Sequence, residues 1–148
     1  MQELNFPNYP FQIKSNENKL FIFDFIRKKE VVLTPEEWVR QHFLMYLVTE
    51  KKYPASLIAV EKKITLNSLT KRADIVVYNI DAKPTIIVEC KAPTIKITED
   101  IFDQIARYNL KLNAQYLIVT NGLQHFICQI DAKNETYLFI NDLPNWSN

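Results

Sequence analysis

The sequence predicts one domain of mixed α/β class, α+β in arrangement, ordered as helix, three-stranded meander, helix and strand. Two segments combine helix-start signals with apolar residues at helical spacing, and three β-type segments lie between them. A buried strand follows the second helix, and it should run parallel to a meander strand because a helix makes the connection. Additional β-strands are expected at both ends of the 148-residue chain.

Residues 1–33 predict an irregular arm followed by short strands. Pro7 and Pro10 discourage regular structure in the arm. The three strands that follow are expected at Phe11–Lys14, Leu20–Asp24 and Lys29–Leu33. The sequence leaves open whether they form an accessory layer or the surface of a homodimer.

The first helix has a clear start. Thr34 suits the N-cap, Pro35 the first helical position, and Glu37 the acidic position of a capping box. The helix is expected to run to about Lys51. Its core-facing residues should be Val39, Phe43, Tyr46 and Leu47.

The meander comprises three strands, at Leu57–Leu66, Lys71–Tyr78 and Thr85–Lys91. In the first, Ile58, Val60, Ile64 and Leu66 alternate with polar residues and should share one face. Asn67-Ser68 suits the turn after it. Asp74 is unusual, because aspartate is disfavoured in strands.

The second half of the chain should begin with a helix capped by Thr98. Gln104 and Tyr108 are four residues apart and therefore neighbours on that helix. The predicted core stripe of this helix is Ile101, Ile105, Tyr108 and Leu112. The remaining expected elements are a strand at Gln115–Thr120, a turn at Asn121-Gly122, and a hairpin of Gln124–Ile130 with Thr136–Ile140.

Composition excludes several classes of protein. The formal net charge of +1 is unlike that of a strongly basic nucleic-acid-binding tail. A single glycine excludes a P-loop and a dinucleotide fingerprint, both of which need several. Cys90 and Cys128 form no zinc or disulfide pattern. No signal peptide or membrane-spanning run is present, so we expect a cytoplasmic protein without membrane contact.

A chemically unusual segment ends the third meander strand. The apolar run of P-T-I-I-V-E-C-K continues into Glu89 and Lys91, which share a face while Cys90 points the other way. A same-face ion pair is one explanation. Antiparallel pairing, however, should also bring Asp74 to this edge of the sheet. Two carboxylates repel unless a cation lies between them, and hard oxygen ligands suit Mg²⁺. With a neighbouring lysine, such a site predicts phosphodiester hydrolysis.

The pattern of Asp74 followed by Glu89-Cys90-Lys91 resembles the PD-(D/E)XK nuclease superfamily. Gln104-x-x-x-Tyr108 is similar to an element of type I restriction enzyme R subunits, whose N-terminal nuclease domain is the nearest likeness. The resemblance covers roughly residues 34–122 and includes E-W-V-R-Q, A-D-I-V-V-Y, I-V-E-C-K-A-P, D-Q-I-A-R-Y-N and V-T-N-G. Ala73 replaces the proline of the motif.

The resemblance implies a restriction-endonuclease-like nuclease core at 34–122, with accessory strands at 1–33 and a C-terminal hairpin at 123–148. It implies Asp74, Glu89 and the backbone carbonyl of Cys90 as ligands of Mg²⁺, for which Mn²⁺ can substitute. Lys91 would be the catalytic lysine, and Gln104 and Tyr108 would orient the DNA backbone or a loop. A further acid would be Glu37 or Glu61.

Two functions remain open at this stage: a Mg²⁺-dependent DNA endonuclease, or a catalytically inactive nuclease-fold module that binds nucleic acid or a partner protein. The chain carries no helicase segment, so it would act alone, as a homodimer, or with separate helicase or restriction-modification subunits. The basic residues Lys62, Lys63, Lys71, Arg72 and Lys96 either grip phosphates or are solvated surface residues.

Overall fold

A computed structural model describes residues 1–66 and 68–147, and for Leu66 the backbone alone. The helices are α1 (Pro35–Thr49) and α2 (Glu99–Leu110). The strands are β1 (Ile13–Asn16), β2 (Lys19–Asp24), β3 (Lys29–Val32), β4 (Ile58–Leu66), β5 (Leu69–Tyr78), β6 (Pro84–Cys90), β7 (Tyr116–Thr120), β8 (His125–Asp131) and β9 (Thr136–Ile140). None of the helices in these ranges is both long and apolar enough to cross a membrane.

The strands form two sheets, which confirms the predicted mixed α/β class. One is a three-stranded sheet ordered β1-β2-β3, and the other has six strands ordered β4-β5-β6-β7-β8-β9. Strand β7 runs parallel to β6, with Val88 opposite Ile118, whereas every other described pairing is antiparallel. The parallel pair follows from the helical connection through α2, as the sequence predicted.

Helix α1 begins as its sequence signals indicate. The Thr34 hydroxyl accepts a hydrogen bond from the backbone N–H of Glu37 at 3.0 Å, and Pro35 occupies the first helical position. The Glu37 carboxylate does not complete a capping box, because it accepts hydrogen bonds from arginine and glutamine side chains instead. The helix ends at Thr49, two residues before the predicted Lys51. Its buried apolar residues include Val39, Phe43 and Leu47.

The buried face of helix α2 is shifted by one residue from the predicted face. Thr98 caps it, accepting from the N–H of Ile101 at 3.2 Å. Its buried residues are Phe102, Ala106 and Asn109, each one position after Ile101, Ile105 and Tyr108 of the predicted stripe. Leu112 of the predicted stripe is buried, and Ile105 packs against the same cluster. The prediction was wrong for Ile101 and Tyr108, because Phe102 packs against aromatic rings of β8 and β9, which local periodicity cannot reveal.

The side-chain alternation of β4 and β5 breaks at one point. Ile58 and Val60 pack in the core cluster on the α1 side, whereas Ile64 packs in the cluster on the α2 side. The prediction that these three share a face was therefore wrong. The physical reason is Glu61, whose φ of +51° rotates the strand. Opposite it, between Ala73 and Ile75, β5 changes faces in the same way.

The turns and the C-terminal hairpin follow the predicted positions with small differences. The predicted turn at Asn67-Ser68 includes Asn67, which lies outside the described residues. Gly122 has a φ of +87°, and its carbonyl accepts from the N–H of Asn5 at 2.8 Å, which ties the N-terminal arm to this turn. Strands β8 and β9 pair as the expected hairpin.

Candidate active site

Asp74 lies at the point where β5 changes faces. One carboxylate oxygen, Oδ1, accepts from Arg40 Nη2 at 3.2 Å. The other, Oδ2, accepts from the backbone N–H of Cys90 at 2.7 Å. The side chain is 20% exposed. The carboxylate of Asp74 is therefore fixed between helix α1 and the end of β6.

Glu89 lies next to Asp74 at the end of β6. Its Oε1 is buried without an aligned hydrogen-bond donor, but the ammonium of Lys71 lies 2.5 Å away as an ion pair. Burial raises the pKa of the Glu89 carboxyl above its ordinary value, while Lys71 opposes the rise, the charge of Asp74 adds to it, and Lys91 opposes it. The structure thus brings Asp74, Glu89 and Lys91 within electrostatic reach of one another.

Lys91 extends from the end of β6. Its backbone N–H donates to the carbonyl of Thr120 at 2.8 Å, so the chain continues beside β7 for one residue beyond the strand. The side chain lines a groove of about 600 Å³. The groove is formed by Lys71, Arg72, Lys91, Ile95, Ile101, Gln104, Ile105 and Tyr108.

Gln104 and Tyr108 line this same groove from helix α2. The Tyr108 hydroxyl donates to the carbonyl of Thr70 at 2.9 Å, and its ring centroid lies 5.0 Å from the Lys71 ammonium. Gln104 is exposed. Both residues are therefore placed on the solvent side of the Lys71–Glu89 pair.

Cys90 points away from Glu89 and Lys91, as the strand alternation predicted. Its side chain is buried in the cluster on the α1 side. Burial raises the pKa of the thiol well above its ordinary value, so Cys90 is not a nucleophile at neutral pH. A role for its backbone carbonyl in binding a metal ion stays a prediction.

The two adjacent acids of helix α1 have different surroundings. Glu37 is buried and accepts from Arg27, Arg40 and Gln41 at 3.0, 2.7 and 3.0 Å. Glu36 is about half exposed and lies 3.4 Å from Arg40 Nη2. Burial, followed by the charge of Asp74, raises the pKa of Glu36, whereas Arg40 and Lys91 oppose the rise. Glu36 is therefore the first-helix acid that faces the candidate site, a residue the sequence interpretation missed.

Glu61 lies at the site but is paired with arginines. Its carboxylate is 3.1 Å from Arg72, 3.5 Å from Arg27 and 3.7 Å from Arg40. Arg40 contacts both Glu61 and Asp74, so its guanidinium joins the two acids. The local reason is the left-handed backbone of Glu61 between the paired positions of β4 and β5.

The N-terminal sheet supports the site through Asp24 and Arg27, neither of which the sequence interpretation singled out as a site residue. Asp24 is fully buried and accepts from two backbone N–H groups, from Arg27 Nε at 2.6 Å and from Gln41 Nε2 at 2.9 Å. Arg27 then bridges to Glu37. A basic residue three positions after a strand-ending acid was the available signal.

The carboxylate oxygens at the site suit a hard divalent cation, but they are too few to fill its coordination sphere. Asp74 and Glu89 supply carboxylate oxygens at one edge of the sheet, and the repulsion that helps to raise the pKa of Glu89 is the kind that a bound cation offsets. Among residues 1–66 and 68–147, no three His, Cys, Asp or Glu side chains gather closely enough to hold a metal ion by themselves. Mg²⁺ commonly keeps several waters, so two carboxylates are compatible with it.

Comparison with known proteins adds the family. The family described as type I restriction enzyme R protein N terminus (HSDR_N) matches residues 35–144. The chain belongs to this family. The match includes α1, the meander with Asp74 and Glu89, α2 and the C-terminal hairpin.

A solved structure with a similar fold comes from a larger protein. It is a fragment described as the HsdR subunit of a type I restriction enzyme from Vibrio vulnificus YJ016, with a TM-score of 0.53 and 20% sequence identity. The similarity covers 76% of this chain and 24% of that chain. This chain therefore spans about a quarter of the length of that solved structure. No curated protein matches its sequence.

Proposed function

We propose that this member of the R protein N-terminus family is a Mg²⁺-dependent endonuclease of the PD-(D/E)XK superfamily that hydrolyses DNA phosphodiester bonds. The observation that carries the proposal is that Asp74, in the middle of β5, lies beside Glu89 near the end of the neighbouring strand β6, with Lys91 two residues after Glu89. The restriction-endonuclease-like core proposed for residues 34–122 corresponds to α1, β4–β6, α2 and β7.

Asp74 and Glu89 would hold the metal ion, with the carbonyl of Cys90 and the carboxylate of Glu36 as further oxygen donors. When bound, Mg²⁺ would polarise a phosphoryl oxygen and favour the ionisation of an attacking water. Arg40 would keep Asp74 oriented, because it contacts Oδ1 while its other contacts tie it to α1. Lys91 would position the water or offset the negative charge that develops on phosphorus oxygens.

The groove next to Glu89 supports a polyanionic substrate. Three basic residues, Lys71, Arg72 and Lys91, line it together with Gln104 and Tyr108, and none of the described residues that line it is acidic. Surface lysines and arginines neutralise phosphates and give affinity that depends on salt. Helicase or restriction-modification subunits are proposed partners, because the family is that of type I restriction enzyme R proteins.

The test is cleavage of supercoiled and linear DNA by purified protein in Mg²⁺ or Mn²⁺. Asp74→Asn and Lys91→Ala should each abolish cleavage while retaining the circular dichroism spectrum of the parent. Lys96→Ala, an exposed lysine in the loop before α2, serves as the control and should cleave normally. Cleavage by both site variants at the parental rate would refute the assignment.

A second candidate function is a catalytically inactive module that binds nucleic acid or a partner protein. The observation in its favour is that each proposed metal ligand already has a cation beside it, Arg40 at Asp74 and Lys71 at Glu89. Mn²⁺ titration separates the two functions. Binding that is lost in Asp74→Asn supports the nuclease, whereas absence of binding in the parent supports the inactive module.

A further inference from the structure

Lys71 is not a solvated surface lysine, one of the two explanations that the sequence left open. Its side chain is only 15% exposed, and its ammonium lies 2.5 Å from Glu89 Oε1. The neighbouring Arg72, in contrast, is 70% exposed and pairs with Glu61. A poorly exposed ammonium is costly to desolvate, so it needs the partner that it has. Lys71 is therefore built into the site rather than placed at its rim.

The position of this ammonium conflicts with metal binding. A divalent ion bound at Oε1 of Glu89 would occupy the space that the Lys71 ammonium now fills, and two cations cannot share that position without strong repulsion. Binding of the ion must therefore displace Lys71. The pair with Lys71 makes the intrinsic metal affinity of the site weaker than that of two unpaired carboxylates.

The groove provides a place for the displaced ammonium. Lys71 already lines it, and the Tyr108 ring lies 5.0 Å from Nζ. That ring is fixed by the hydrogen bond from its hydroxyl to Thr70 and can stabilise a nearby cation. Because the lining of the groove, in the part of the chain that the structure describes, contains no acidic residue, a phosphate of the substrate is the natural new partner of the ammonium.

We infer that Lys71 is a phosphate-binding residue that pairs with Glu89 until substrate binds. Metal and nucleic acid then bind cooperatively, because Lys71 exchanges one partner for the other. The inference rests on the proposed function, since it requires Glu89 to ligate the metal. A phosphate that receives Lys71 makes Glu89 available, and a metal ion that takes Glu89 makes Lys71 available. By linkage, each ligand then raises the affinity for the other by the same factor.

The experiment is a titration with Mn²⁺ at pH 8, followed by the electron paramagnetic resonance signal of the free ion. It is done with and without a short phosphorothioate DNA duplex, which keeps the backbone charge and resists cleavage. In the parent, the duplex should tighten Mn²⁺ binding by about fivefold or more, as is typical of coupled sites. Lys71→Met should bind Mn²⁺ several-fold more tightly without DNA and lose most of the enhancement by DNA.

Lys133→Met, which removes an exposed lysine from the turn between β8 and β9, is the matched control and should behave like the parent. Where methionine disturbs folding, Lys71→Gln removes the charge with a polar side chain in its place and gives the same readout. Equal Mn²⁺ affinity and equal enhancement by DNA in the parent and the Lys71 variants would overturn the inference and leave the metal site standing. Absence of Mn²⁺ binding in all of them would overturn both the site and the inference.

Discussion

Arg40 of helix α1 contacts Asp74 of strand β5, with its Nη2 at 3.2 Å from Oδ1. The same guanidinium donates from Nη1 to Glu37 at 2.7 Å, so its planar fork joins an acid of the helix to an acid of the sheet. Asp74 is in turn fixed on its second oxygen by the backbone of Cys90. The orientation of the proposed metal ligand therefore depends on the packing of α1 as much as on the sheet.

Changing each of the adjacent acids Glu36 and Glu37 to glutamine should have a different effect. The first change should lower Mn²⁺ affinity, and the second should lower stability. Glu36→Gln removes a half-exposed charge that acts on Asp74, so we expect weaker Mn²⁺ binding with little change in stability. Glu37→Gln removes a buried partner of Arg27 and Arg40, which should cost about 3 kcal/mol of unfolding free energy. Urea unfolding and Mn²⁺ titration of the two variants measure both effects.

The two glutamine variants control for each other, because they lie one residue apart in the same helical turn. A stability loss confined to Glu36→Gln, or a loss of Mn²⁺ affinity confined to Glu37→Gln in folded protein, would reverse the assignment of the two acids.

Asp24 should be required for the stability of the whole site although it is remote from the proposed chemistry. It is fully buried and accepts four hydrogen bonds, two of them from Arg27 and Gln41 side chains. Asp24→Asn removes the buried carboxylate that pairs with Arg27 Nε, so we expect a loss of about 3 kcal/mol in urea unfolding. Asp81→Asn, in an exposed turn, is the control. Equal stability of the two variants would contradict the supporting role of the N-terminal sheet.

Much of the fold could be predicted because its signals are local. Thr34 and Thr98 cap helices through their own hydroxyl groups, and a helix between two strands requires a parallel connection. The face of α2 could not be predicted, because aromatic residues of β8 and β9 decide it. The reversal of faces in β4 could not be predicted either, since it depends on one left-handed residue, Glu61, inside a strand.

The site was predictable in part for a similar reason. Asp74 and Glu89 interrupt apolar strands, and such interruptions are visible in a sequence. Residues that reach the site through long side chains from other elements cannot be recognised in the sequence. Arg27 comes from the turn between β2 and β3, Arg40 from helix α1, and Lys71 from the start of β5. Their sequence neighbourhoods look like ordinary solvated charge, and only the tertiary packing turns them inward.

The glycine in the turn after β7 should resist substitution. Gly122 has a φ of +87°, and a Cβ placed there would lie 2.9 Å from Leu4 Cδ2 and 3.1 Å from Val39 Cγ2. We expect Gly122→Ala to cost about 1–3 kcal/mol, chiefly through the left-handed backbone. Ala82→Gly is the reciprocal control, because Ala82 has a φ of +60° in an exposed turn and should lose nothing. Thermal unfolding of both variants measures the effect, and a neutral Gly122→Ala would contradict it.

The raised pKa of Glu89 should make the stability of the metal-free protein depend on pH. Burial raises this pKa from its ordinary value of 4.5, so the folded protein binds more protons than the unfolded chain above that pH. Unfolding free energy contributed by Glu89 therefore falls as the pH rises through the window between the two pKa values, by about 1.4 kcal/mol for each unit of separation.

Glu89→Gln lacks this titration, so its stability relative to the parent should rise as the pH is raised from 4 to 8. Urea unfolding in EDTA at several pH values measures the difference. Glu17→Gln, in the exposed turn between β1 and β2, is the control and should show no such trend. Parallel pH profiles for the parent and Glu89→Gln would mean that the carboxyl is not strained by burial. The expected trend means that the Glu89 carboxylate destabilises the metal-free fold at neutral pH. A cation-binding site can have such a carboxylate, because the bound cation would offset the cost.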